Sequence, residues 1–366
     1  MSEVSSQLLN LSPEARTVPI GTGESRTVHQ FDTRSLDAIN SALASGRPLL
    51  VRGEPGVGKT QLAEAAAEAM KRAFIRFTVD ARTEARDLLW RFDAVMRLAE
   101  AQVLGAAIST RGTANADPIQ VQQRAEALLQ EKLDVRRFVR PGPLWWAFNA
   151  EDAKTCCLPE EDMLNEGMNE QRAKAGWVIL IDEIDKAESD LPNGLLEALG
   201  ASQFRPMGRS THVSISKGCP RPLIVITTNE DRVLPDAFVR RCMTLHIELP
   251  RTREPLIRHL VARGRAHFGK QADDTVLTKA AEMLADDRES AKRDQLSPLP
   301  GQAEYLDLIA AVVNWKNESA DQLELVETIR TFAYRKHLSM LSDVERRAEN
   351  SEECSAAGDT NADQQR

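Results

Sequence analysis

The sequence predicts a parallel α/β sheet flanked by helices, followed by a smaller all-helical unit. Three observations carry this. A glycine-rich octapeptide, Gly53-Glu54-Pro55-Gly56-Val57-Gly58-Lys59-Thr60, joins a short apolar run to a helix-forming run. Further apolar runs of strand length recur downstream with helical patterns between them, as parallel strands require. From Pro250 onward the pattern turns wholly helical and charged.

Length and charge bound the reading. The chain has 366 residues, enough for two or three domains with cores of their own. Its net charge of -8 argues against a protein whose main task is to coat nucleic acid. No apolar run approaches the ~18 residues needed to cross a bilayer. The first residues carry neither a basic nor an apolar signal region, so a cytoplasmic location is expected. The five cysteines, Cys156, Cys157, Cys219, Cys242 and Cys354, form no C-x-x-C pair and read as reduced thiols.

Taken in order, residues 1–30 mix Ser, Gly, Pro and Thr without periodicity and read as a flexible leader. A helix follows with Leu36, Ile39 and Leu43 on one face, ended by Ser45-Gly46-Arg47. Pro48-Leu49-Leu50-Val51 is a short buried strand. The octapeptide then fits G-x-x-x-x-G-K-[ST] without mismatch. Its glycines let consecutive N–H groups point at phosphate oxygens. Lys59 sets a cation beside the outer phosphates, and the Thr60 hydroxyl suits Mg²⁺. Gln61 to Met70 is rich in Ala, Leu and Glu, so the loop meets a helix N-terminus, where the dipole favours an anion. Residues 53–61 are therefore the expected nucleotide contacts.

Ala73 to Val79 is a second strand. Roughly a hundred residues separate it from the next, far beyond the usual loop. Helical patterns cover Glu84 to Ala106 and Pro118 to Leu133 in this insertion, about 81–150. Arg136, Arg137, Trp145 and Trp146 cluster after them, as packing under a loop or as a contact surface. Trp177 to Ile181 is a buried strand ending in Asp182 and Glu183. Such an ending places Asp182 to hold Mg²⁺ and Glu183 to polarise an attacking water. Asp185 and Lys186 read as the start of the next helix. Phe204 to Ile215 reads as a hairpin about Gly208. Leu223 to Thr227 is another buried strand, with Asn229 at its end to bond the water or the γ-phosphate. Met243, Leu245, Ile247 and Leu249 alternate with polar residues as a half-buried strand, with His246 on its solvated face.

This order of parts resembles the AAA+ ATPases: GEPGVGKT, then VILIDE, then ITTNE with its Asn229, then Leu234 to Cys242, which is similar to the segment bearing that superfamily's arginine finger. The resemblance puts the finger at Arg241, with Arg240 the second choice. The long insertion with its Arg-Pro-Gly-Pro-Leu and the hairpin before Asn229 resemble the MoxR branch of the helix-2-insert clade. It implies a P-loop NTPase domain over 31–250 and an α-helical lid over 251–345; the pattern itself places helices near 252–268, 275–286, 302–315 and 320–341, and the Glu, Ser, Asn, Asp and Gln of 346–366 read as a disordered tail.

The resemblance further implies Mg²⁺-dependent ATP hydrolysis in a homo-oligomeric ring, hexameric by family habit. It implies remodelling of protein partners, frequently ones with a von Willebrand A domain. Two other classes stand beside this reading. One is a nucleic-acid-directed motor of the restriction type, against which stand the acidic charge and the lack of an N-K-x-D motif. The other is a slow nucleotide-gated assembly switch, against which stand Glu183 and Arg241. Pro300 to Asp307 resembles the family's sensor 2 region, but Leu299 stands where a basic residue is common, leaving Lys292 or Arg293 as substitutes.

Overall fold

The computed structural model describes residues 8–21, 27–110, 118–158, 170–316 and 318–334. The chain divides into two compact units. The first holds residues 1–20, 31–53 and 59–246; the second holds 21–30, 54–58 and 247–366. The 346–366 tail expectation falls outside the described residues.

The first unit is built on five parallel strands: β1 (Leu49–Arg52), β2 (Ala73–Thr78), β3 (Trp177–Asp182), β4 (Leu223–Thr228) and β5 (Met243–His246). Their spatial order is β5-β1-β4-β3-β2. The register pairs Leu49 with both Val225 and Met243, Val178 with Leu223, and Trp177 with Ala73. Every residue of β3 and β4 is buried, which explains why both read as unbroken apolar runs rather than alternations. The alternation at 243–249 outlasts its strand, which stops at His246, itself exposed. Helix α1 (Thr33–Ser45) is capped by the Asp32 carboxylate on the Ser35 N–H and closed by Gly46 at φ 65°.

Several expectations need correction. The described part of the expected leader, residues 8–21 and 27–30, is not featureless. Thr17–Ile20 is a strand with Val18 and Ile20 buried, and Thr27–Gln30 is another. Pro19 and His29 disguise these short strands in the sequence. The pattern from Glu84 to Ala106 is not one helix: a short helix (Ala85–Leu89) gives way to a strand (Trp90–Phe92) and then a helix (Ala94–Thr110). The break is enforced by antiparallel pairing of Trp90 with Pro141 and Phe92 with Val139. The helix at Pro118–Lys132 is where it was expected. Of the two readings of Trp145 and Trp146, packing is the one that holds: both are buried in the core. Trp145 meets Phe204 edge-on at 5.8 Å, and its indole N–H bonds Asp152 at 2.8 Å. The hairpin around Gly208 is present as Gln203–Phe204 paired with Val213–Ser214.

The second unit packs helices Arg253–Phe268, Asp274–Arg293, Gln302–Trp315 and Ser319–Ala333 around Leu260, Leu284, Leu308, Ile309 and Tyr305. Tyr305 is wholly buried, and its hydroxyl donates to the Leu277 carbonyl at 3.2 Å. Val57, from the glycine-rich loop, belongs to this core.

Candidate nucleotide site

The loop leaves β1 at Gly53 and enters helix α2 (Lys59–Met70) at Lys59. Gly53, Gly56 and Gly58 take φ values of 152°, 76° and 91°, which a side chain would resist. Lys59 is buried. Its Nζ donates to the Gly53 carbonyl at 2.7 Å and to Asn229 Oδ1 at 2.7 Å. Burial lowers its pKa, and the nearby carboxylates of Asp185, Asp182, Glu183 and Asp231 pull the other way.

Asp182 ends β3 beside the helix start. The Thr60 hydroxyl lies 3.2 Å from both its carboxylate oxygens, and Arg76 of β2 donates to Oδ2 at 2.7 Å. Thr227, wholly buried in β4, donates to Asp182 Oδ1 at 2.6 Å and accepts the Glu183 N–H at 2.8 Å. That bond helps hold Glu183 at φ 61°, ψ 50°, a left-handed conformation that costs an L-residue roughly 1–2 kcal/mol. Glu183 Oε1 accepts from Asn229 Nδ2 at 3.2 Å, while Oε2 pairs with Lys186. The hydrogen bond to Glu183 raises the Lys186 pKa.

Asn229 is itself anchored. The buried Asp185 accepts the N–H of Asn229 at 3.1 Å and of Asp231 at 2.9 Å, while its Oδ1 has no hydrogen-bond partner among the described residues. Asp185 therefore fastens the turn after β4 instead of opening a long helix. It sits in a 3-10 turn, Ile184–Lys186, and the helix begins at Asp190.

Lys59, Thr60, Asp182, Glu183 and Asn229 thus meet at the carboxyl ends of three neighbouring strands. The AAA domain of the dynein-related subfamily matches residues 48–242, more than half of the chain. The chain belongs to this AAA domain family. Among solved structures, it is similar to a candidate ATPase of Cytophaga hutchinsonii (14% identity, 82% of this chain and 79% of that one, TM-score 0.31). It is also similar to a proline-to-glycine variant of RuvB from Thermotoga maritima (15% identity, 81% and 68%, TM-score 0.40). No curated protein matches the chain. No helix among the described residues is long and apolar enough to cross a membrane.

Membership of the AAA family implies nucleotide binding, and the donor set fits a nucleotide with Mg²⁺. The Thr60 hydroxyl and Asp182 carboxylate are hard oxygen donors. Among the described residues no group of three or more His, Cys, Asp or Glu could hold a metal ion unaided. Mg²⁺ suits such a site, since it commonly takes one or two carboxylates and completes its shell from phosphates and water.

Not every expected site residue of the AAA domain joins this group. Arg240 and Arg241 are exposed, and Arg241 donates to the Leu196 carbonyl at 3.1 Å. They precede Met243, which pairs with Leu49, the first residue of β1, whereas the loop follows the last. Both arginines therefore sit at the opposite end of the sheet from Lys59. Gln61 lies in α2, partly buried. Glu54, Pro55 and Gly56 are exposed, and Val57 is buried in the second unit.

Within that second unit, Glu54 accepts a hydrogen bond from Arg288, a residue the sequence did not single out. Arg288 is 5% exposed; it also donates to the Pro300 carbonyl at 2.8 Å, and its Nε has no partner among the described residues. Lys292 and Arg293, the expected substitutes, are both exposed. A Cβ on Gly56 would stand 2.8 Å from the Ala303 Cβ, so the loop backbone and helix Gln302–Trp315 require glycine there.

Proposed function

We propose that this AAA domain protein hydrolyses ATP with Mg²⁺ as part of a homo-oligomeric ring of the MoxR type, and so remodels or activates partner proteins. The observation that carries the reading is the joining of Lys59 to Glu183 through the Asn229 side chain. The loop amides and Lys59 take up the β- and γ-phosphates, Lys59 exchanging its bonds to Gly53 and Asn229 for phosphate oxygens. Mg²⁺ held by Thr60 and Asp182 would offset phosphate charge. Glu183 accepts a proton from water as the water oxygen attacks the γ-phosphorus. The bond to the bridging oxygen breaks, and ADP and phosphate leave. Asn229, pinned by Asp185, would hold Glu183 in place for this proton transfer.

Arg241 completes the site of a neighbouring subunit. Its place at the far end of its own sheet supports this role, since it is remote from its own loop. The insertion helices Ala94–Thr110 and Pro118–Lys132 expose Val95, Leu98, Val103 and Ile119, which supports a protein partner at that surface, of von Willebrand A type by the family resemblance.

Phosphate release measured with ATP and Mg²⁺ tests the reading. Wild type is expected to turn over, and Glu183→Gln to bind ATP but hydrolyse it some 10²–10⁴-fold more slowly. Absence of Mg²⁺-dependent phosphate release from wild type would overturn it.

A further inference from the structure

A cleft of about 680 Å³ opens at the end of the sheet away from the phosphate loop, with Leu8, Leu9, Met70, Arg72, Ala175 and Pro220 in its lining. Arg72 stands immediately before β2, Ala175 just before β3, and Pro220 just before β4. Helix α2 ends here in a paired closure. Lys71 is left-handed at φ 53°, its N–H bonds the Glu68 carbonyl at 3.1 Å, and the Arg72 N–H bonds Ala67 at 2.9 Å. The turn delivers Arg72 to the base of the sheet. The facing wall is fixed by Asn40 of α1, which accepts the Leu9 N–H at 2.7 Å and donates to the Leu9 carbonyl at 3.0 Å.

Arg72 is 3% exposed, yet no carboxylate among the described residues pairs with it. Its Nη1 donates to the Arg221 carbonyl at 3.0 Å, and its guanidinium packs over Gly176, where an added Cβ would stand 3.2 Å from Nε. Burial alone draws its pKa down to about 10. Arg288, similarly buried, has Glu54. A guanidinium taken out of water without a counter-charge is costly. The carbonyl dipoles at the end of α2 and at Arg221 offset only part of that cost. A methionine would fill the same space without it. The charge is therefore retained for an anion that enters the cleft. The lining is mixed: Asn10 and Cys219 stand beside Leu8, Leu9, Met70 and Pro220, whose side chains give one part of the wall an apolar face for the body of such an anion, and one planar guanidinium matches one carboxylate better than a dianion.

We propose that this cleft binds a carboxylate carried on an apolar body, with Arg72 as its ionic partner. A free organic acid and the carboxy terminus of a polypeptide both supply that chemistry.

Calorimetric titration of the full chain with hexanoate and with an acetylated tripeptide ending in leucine, each against its own amide, tests this. At least one acid is expected to bind saturably and at least tenfold more tightly than its amide. Arg72→Met should abolish the preference and Arg72→Lys should keep part of it. Hexanoate binding identifies a free acid, and binding of the peptide acid alone identifies a polypeptide terminus. Without ligand, Arg72→Met should melt no lower than wild type, since an uncompensated charge has gone. If neither acid outbinds its amide, or the preference survives Arg72→Met, the proposal fails. It fails equally if Arg72→Met melts several degrees below wild type, because Arg72 is then a structural residue.

Discussion

Asn229 meets Lys59 directly: its Oδ1 accepts the lysine ammonium at 2.7 Å, while its Nδ2 donates to Glu183. The cation that would hold the outer phosphates and the carboxylate that would activate water are thereby tied to one amide. Asn229→Ala is expected to lower the hydrolysis rate by about 10–100-fold, the loss of a positioning contact to a proton acceptor. The melting temperature should change little, because Asp185 holds the Asn229 backbone rather than its side chain. Steady-state phosphate release with a parallel melting curve checks both.

Arg241→Ala should bind ATP normally and hydrolyse it about 10³–10⁵-fold more slowly. Lys59→Ala should lose binding altogether. Mixed in one preparation, the two inactive variants should regain activity, because some interfaces then join an intact loop to an intact finger. Mixed rings that stay inactive at every ratio would remove Arg241 from this role.

Arg288→Ala removes the Arg288–Glu54 ion pair and opens a space behind Pro300. Nucleotide affinity is expected to fall, since Glu54–Gly58 loses its tie to helix Asp274–Arg293. Arg288→Met should be less damaging to stability, because it fills the volume without a buried charge. Nucleotide titration and thermal melting of both variants separate the two effects.

Alkaline pH should destabilise the chain in part through Cys242. Burial pushes its thiol from the ordinary 9.0 up to about 12. Between those values the native chain keeps a proton that the unfolded chain has released, so stability is full below pH 9 and falls as pH rises towards 12. The buried Tyr305 and Tyr334 hydroxyls are raised for the same reason and act in the same direction. Cys242→Ala should therefore flatten the fall in melting temperature between pH 8.5 and 10.5 (about the window set by these shifts).

Replacing residues 105–117, which take in the end of helix Ala94–Thr110 and the residues up to Pro118, with a short linker should leave basal ATP hydrolysis nearly unchanged while weakening capture of a partner. Loss of folding would show that the segment is structural.

What the sequence disclosed follows from how local each constraint is. The glycine-rich loop and the acidic strand end were legible because the chemistry demands those residue types within a few positions of each other. β3 and β4 were legible because burial on both faces leaves apolar runs, and β5 because one buried face leaves an alternation. Thr227 and Arg288 were not singled out and Asp185 was read only as a helix start, since their roles depend on partners 45, 234 and 44 residues away. Thr227 did leave a trace, as a polar residue inside an apolar run. For Trp145 and Trp146 the usual burial of indoles pointed to packing, while the arginines and prolines around them kept a contact surface open as the alternative; both indoles are core. The break at Trp90 is a tertiary effect: helix-forming neighbours yield to pairing with a strand about fifty residues later, which no local propensity signals.

Glu183 and Glu230 are both left-handed, at φ 61° and 65°, and each follows the end of a central strand by one or two residues. Selection for heat resistance alone would replace such residues with glycine or asparagine, which tolerate that backbone. An engineering campaign guided only by melting temperature would therefore be drawn to position 183 early. It would be expected to return a hardier protein that no longer hydrolyses nucleotide. Directed stabilisation of this fold should hold those two corners fixed and seek its gains in the helical unit.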